Sequence, residues 1–133
     1  MFKLSFRALQ KAVYQNLSSY EPLMAMVNQI TDAPGKDDPY PYVVLGDQTS
    51  TPFETKTSFG EDTTMVFHAW SGSPSSAEVQ DIMSKILEGL TYKPLEFEGF
   101  TFVAKKLVQA QVIPDVDGVT KHGIIRMRFT INN

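Results

Sequence analysis

The stretch DTTMVFHAWSGSPSSAEVQDIMSKILEGL, Asp62–Leu90, decides how this chain folds. In its first nine residues Thr63, Met65, Phe67 and Ala69 fall on one side of an extended chain. Thr64, Val66, His68 and Trp70 fall on the other, which is the two-residue period of a β-strand. Ser71–Ser76 consists only of Ser, Gly and Pro, and it ends that strand. Ser75, with Glu78 three residues later, fits a capping box, while Ser73 ahead of Pro74 is the competing cap. Beyond it Val79, Ile82, Met83, Ile86, Leu87 and Leu90 recur at spacings of three and four, with Gly89 near the end of the pattern and Pro94 barring its continuation. A strand and a helix that each carry one apolar side bury those sides against each other. The expected core therefore places Val79, Ile82, Ile86 and Leu90 on the sheet face of Met65, Phe67, Met127 and Phe129.

Working outward, Phe2, Phe6, Leu9, Val13 and Leu17 mark one face of an N-terminal amphipathic helix, with Arg7, Lys11 and Gln15 opposite. Ser18-Ser19 breaks the pattern, and Pro22 suits the first turn of a second, shorter helix carrying Leu23, Met26, Val27 and Ile30. Thr31–Pro39 is a turn-rich connector, and Tyr40–Gly46 reads as a strand with Pro41 near its start. Phe100–Ile113 reads as a strand whose alternation is interrupted at Lys105-Lys106, where a bulge fits. Asp117-Gly118 marks a turn, and Lys121–Ile131 sets Ile125, Met127, Phe129 and Ile131 against Arg126, Arg128 and Thr130. An extra short strand fits at Leu95–Phe97. The expected fold is a single α+β domain over residues 1–133: a mainly antiparallel sheet packed against one long helix, with two short N-terminal helices.

Composition narrows the function. The chain has 133 residues with 12 basic and 15 acidic side chains, a formal charge of −3, which argues against a free-standing nucleic-acid binder. It contains no cysteine, which excludes disulfides, thiolate nucleophiles and cysteine-type zinc sites. The longest aliphatic run is Val43-Val44-Leu45, far short of the ~20 apolar residues of a membrane span. Lys3, Arg7, Gln10 and Lys11 interrupt Met1–Val13, so it lacks the core of a signal peptide.

No constellation for catalysis or for a cofactor emerges. His68 and His122 stand outside metal-ligand spacings, and no nucleophile elbow, P-loop or dinucleotide fingerprint occurs. His68 beside Trp70 reads most plainly as a hydrogen-bonded structural histidine; with an acidic partner in a pocket it would serve a small-molecule-binding or enzymatic domain. Asp115–Gly118 resembles the start of a calcium loop but lacks the later ligands, and a hairpin turn explains it better. No metal ligand set is expected.

The informative segment is Asp47–Glu61, read as a long polar loop between two strands. Phe53 and Phe59 stand out in it as large apolar groups among Thr, Ser, Glu, Lys and Gly. Such a loop is expected to reach a partner surface, with Phe53 and Phe59 as anchors and Glu54, Lys56 and Glu61 as rim charges that set register.

Four strings place this reading in a family context. PYPYVVLG (Pro39–Gly46), KTSFGEDTTMVFHAWS (Lys56–Ser71), ALQKAVYQNL (Ala8–Leu17) and DVDGVTKHGIIRMRF (Asp115–Phe129) occur in order along nearly the whole chain. Together they resemble the tail-completion, or tail-terminator, family of long-tailed phages and gene transfer agents. The resemblance implies a structural virion protein, not an enzyme, assembled in the host cytoplasm. Its subunits form a ring, commonly a hexamer, at the junction of tail and head. That ring caps the tail tube, ends its polymerisation and offers a docking surface to a head-side connector or neck protein. DNA crosses the lumen without specific binding, and no membrane or cofactor is involved. A neck adaptor or tail tube subunit of similar fold is the alternative within virion assembly.

Overall fold

In the computed structural model the described residues are 3–54 and 59–132. In chain order they form α1 (Phe6–Ser18), α2 (Glu21–Met24), β1 (Ile30–Thr31), β2 (Tyr42–Glu54), β3 (Phe59–Ser71), α3 (Ala77–Thr91), β4 (Thr101–Pro114) and β5 (Lys121–Asn132). One sheet holds all the strands in the order β1-β2-β3-β5-β4. Every pairing is antiparallel except the two-residue parallel contact of β1 with Val43 and Val44 of β2. The α+β class and the mainly antiparallel sheet agree with the expectation from sequence.

The core forms where the periodicities meet. Val79, Ile82, Ile86 and Leu90 of α3 share one buried cluster with Met65 and Phe67 of β3 and Met127 and Phe129 of β5. Leu9, Val13 and Leu17 of α1 join it from the N-terminal helix, all fully buried. Gly123 lies where α3 crosses β5. A Cβ there would meet Met83 Sδ at 2.5 Å and Val79 Cγ2 at 3.0 Å, so glycine sets how closely the helix approaches the sheet. Just ahead of β5, between it and β4, the expected turn is present. Asp117 Oδ1 accepts the backbone N–H groups of Val119 and Thr120, and Gly118 takes φ of 73°.

Several elements depart from the sequence reading. α1 has 13 residues against 15 for α3, so the N-terminal helix is nearly as long as the principal one. Ile30 leaves the second helix and enters β1, because α2 closes after a single turn. Leu95–Phe97 forms no strand. The α3 cap also differs: Glu78 accepts the Ser71 hydroxyl at 2.6 Å, while the Ala77 N–H bonds the Ser75 hydroxyl at 3.2 Å. Finally, the described parts of Asp47–Glu61 are strand and not loop. β2 extends to Glu54 and β3 begins at Phe59 as two arms of a long hairpin, paired from Gln48↔Met65 to Glu54↔Phe59 after an irregularity between Leu45 and Gln48.

Candidate functional site

The hairpin carries the residues singled out in the sequence. Beyond the Leu45–Gln48 irregularity, β2 reads Gln-Thr-Ser-Thr-Pro-Phe-Glu, rich in threonine and poor in large apolar groups. Its two faces differ little in polarity, and so the segment lacks the apolar alternation that announces a half-buried strand. Phe53 lies across Gly60 of its own hairpin. A Cβ on Gly60 would collide with the Phe53 ring and stand 2.8 Å from Asn132 Oδ1, so the ring covers the bare backbone of the neighbouring strand. Phe53 is thus half-buried within its own chain, whereas Phe59 is 38% exposed and Glu54 is exposed. Pro52, Phe53, Glu54 and Phe59 line a shallow crevice at the tip. Lys56 lies outside the described residues.

Glu61 needs correction as a rim charge. It is fully buried, and both carboxylate oxygens are engaged inside the chain. Oε1 accepts the Ser5 backbone N–H at 2.6 Å, and Oε2 accepts the Ser50 hydroxyl. Ser5 immediately precedes α1, where helix N–H groups lack intrahelical partners. The carboxylate therefore ties the start of α1 to the β2–β3 hairpin. Gln48 extends the tie by donating to the Phe6 carbonyl oxygen at 3.2 Å.

The helices cover one face of the sheet, and the opposite face stays open. On it His68 Nδ1 lies 2.7 Å from His122 Nε2, and the His122 ring stacks on Trp70 with centroids 3.8 Å apart. Burial is the main cause that lowers both imidazole pKa values below the ordinary histidine value. Arg126 lowers His68 further while Asp47 opposes the shift; His68 lowers His122 further while Asp115 opposes it. The pair is thus a neutral hydrogen-bonded couple bridging β3 and β5. Among the described residues no group of three His, Cys, Asp or Glu side chains stands ready to hold a metal. His68 was visible in the sequence, but its partner was not, because the Trp70↔His122 register links residues 52 positions apart.

The outer strands form a second exposed region. Among the described residues no strand lies beyond β4, and Val103, Leu107 and Val108 on it are 52%, 43% and 42% exposed. The ladder with β5 shifts at Phe102/Ala104 and at Leu107/Gln109, which leaves Val103 and Val108 as the extra residues of two irregularities. At the opposite edge β1 pairs with Val43 and Val44, and among the described residues no strand pairs with the outer side of β2 from Gln48 to Glu54.

With this geometry in place, comparison with known proteins locates the chain. The family described as Tail completion protein gp17 matches residues 11–132. The tail completion protein gp17 of Bacillus phage SPP1 is 74% identical over 132 residues, spanning 99% of this chain and 98% of that protein. A solved structure of the bacteriophage SPP1 gp17 protein shares 73% identity, covers 99% of this chain and 94% of that one, and superposes with a TM-score of 0.73. A chain from the virion of a native gene transfer agent particle is 21% identical, covers 99% of this chain and all of its own, and reaches a TM-score of 0.90. That last likeness is one of fold.

Proposed function

Because this chain belongs to the Tail completion protein gp17 family, we propose that it closes the tail of a long-tailed particle as a hexameric ring. The ring sits on the last ring of the tail tube, stops its growth and offers the surface on which the DNA-filled head docks. As a member of that family the chain is a structural component of the virion tail and not an enzyme. The observation that carries this reading is the near-complete, high-identity match to the SPP1 tail completion protein.

The surface supports it. A sheet with one open face, two unpaired long edges and a hairpin tip carrying exposed Phe59 leaves contact area that its own chain does not use. We assign the tip residues Phe53, Glu54, Lys56 and Phe59 to contact with the tail tube or a neighbouring subunit. Six copies at −3 each carry −18, so the ring as a whole has no net attraction for DNA phosphate.

The test adds the purified protein to polymerising tail tubes. Native mass spectrometry reads the mass of the end complex, and electron microscopy reads tube length and the position of gold-labelled subunits. A sixfold ring confined to tube ends, with tubes held at finite length, is the expected result. Labelling along the tube would make the chain a tube subunit. Labelling on head-side necks in the absence of tails would make it a neck adaptor.

A further inference from the structure

The geometry points to strand-edge pairing as the contact that closes the ring: β4 of one subunit adds to the outer edge of β2, from Gln48 to Glu54, on the next copy. This inference rests on the ring reading and names its interface. Three observations carry it.

The first is exposure without cover. β4 is a 14-residue strand paired on one side only, and it holds Val103, Leu107 and Val108 in water. A long exposed edge with apolar side chains is a template for another strand. β2 offers the counterpart, since β1 pairs with two of its residues and no other described strand pairs with its outer edge from Gln48 to Glu54.

Direction is the second. β2, β3, β5 and β4 alternate in direction across the sheet, so β4 runs antiparallel to β2 of the same chain. A copy placed beside the first with its strands in the same sense brings β4 against β2 antiparallel, the more stable pairing. The two edges are different surfaces, so the contact is head-to-tail and closes by rotation into a ring.

Charge is the third. β4 carries Lys105 and Lys106 and no acidic residue; the outer part of β2 is flanked by Asp47 and ends in Glu54, with no basic residue from Asp47 to Glu54. Pairing β4 with β4 would set lysines against lysines, and pairing β2 with β2 would set carboxylates against carboxylates. Only β4 against β2 brings opposite signs together. The lysines and the two ladder irregularities of β4 guard its edge against indiscriminate pairing, and the acidic edge of β2 is the surface that relieves that guard. Pro52 contributes no N–H, and its place on an outer strand is where a proline is tolerated.

The chain has no cysteine, so introduced pairs report without background. Thr51→Cys is combined in turn with Ala104→Cys, Val108→Cys and Ala110→Cys, three exposed positions that sample alternative registers. Each is oxidised with and without tail tubes. In parallel, Lys105→Glu/Lys106→Glu is compared with the same chain carrying Asp47→Lys/Glu54→Lys, and Lys106→Glu alone serves as the milder variant. Circular dichroism confirms folding of each. The expected result is a disulfide ladder up to the ring number for one register. The lysine reversal should raise the concentration for half-assembly about tenfold, and the combined reversal should restore it to within about threefold. If wild-type rings form but no pair cross-links and the reversed variants assemble like wild type, the edge pairing is overturned while the ring stands. If the wild-type chain forms no ring even on tubes, the proposed function falls and this inference with it.

Discussion

β3 and β4 have nearly the same length, 13 and 14 residues, and both pair with β5, yet they live in different surroundings. From Asp62 to Ser71 β3 alternates between buried and half-exposed residues except at Val66, which is buried as well, and Met65, Phe67 and Ala69 join α3 in the core. β4 alternates poorly, and it keeps valines and a leucine exposed at the edge. The pattern of β3 is written by the chain's own core. β4 lacks such a pattern: Phe102 and Val112 pack against the core cluster, while Val103, Leu107 and Val108 stay exposed and are free for a surface outside the chain. Irregular alternation in a long strand is therefore a sign of unmade contacts as much as of weak structure.

Substitutions can break or sharpen this contrast, beginning where the core is densest. Ile86→Ala on α3 removes a fully buried side chain facing the sheet and should cost roughly 2–5 kcal/mol in chemical denaturation, with tail capping affected only through lost folded protein. An unchanged midpoint would mean that this helix face is not the buried one. Glu61→Ala comes next. It strips the acceptors from the Ser5 N–H and the Ser50 hydroxyl beneath the hairpin and should cost about 1–3 kcal/mol. Hydrogen exchange should then rise first at the start of α1, and exchange that rises uniformly would show that the tie is not local.

The hairpin tip is intermediate between the two regimes. Phe53→Ser with Phe59→Ser should lower stability by roughly 1–2 kcal/mol, since Phe53 covers Gly60, and should still leave a folded monomer. Its larger effect is expected on ring formation or capping, read by light scattering on tube ends. Residual folded protein that assembles normally would return both rings to the chain's own packing.

The histidine couple gives a pH-dependent difference. Both pKa values are lowered in the folded chain, so below about pH 6.5 the unfolded chain takes up protons before the folded one does. Stability is flat above that pH on this account and falls as the pH drops through it. His122→Phe keeps a ring against Trp70 but removes one of the titrating groups, and thermal unfolding between pH 7 and 5 should show a shallower slope. An unaltered slope would assign acid sensitivity to other groups. The smallest stability effect is expected at the edge: Leu107→Thr on β4 should change folding by no more than about 0.5 kcal/mol and yet weaken assembly. A large loss of stability there would place Leu107 among core residues and erase the contrast with β3.

Much of this architecture was legible in the residues. The periods of Asp62–Trp70 and Val79–Leu90, the turn at Asp117-Gly118 and the one-sided apolar pattern of Lys121–Ile131 predicted both the elements and the faces that meet. The polar half of the hairpin was not legible. Its inward side meets a carboxylate, a serine and a helix start instead of aliphatic groups, so burial leaves no hydrophobic signature there. Phe53 and Phe59 stood out in the sequence, but their neighbours were hidden: one ring closes over a glycine across the strand and the other stays exposed.

For the principal helix, β3 and β5, linear order was enough to settle which segments extend, which coil and which sides turn inward, because period and turn chemistry are local properties of the chain. It also settled the family, through whole-length identity. Three dispositions needed the tertiary structure. Glu61 belongs to the interior, His68 shares a proton-bearing bond with His122, and β4 and the outer part of β2 end the sheet on opposite sides. Each depends on strand order and register between residues far apart in sequence, and the pairing of distant strands is not encoded in the period of either one.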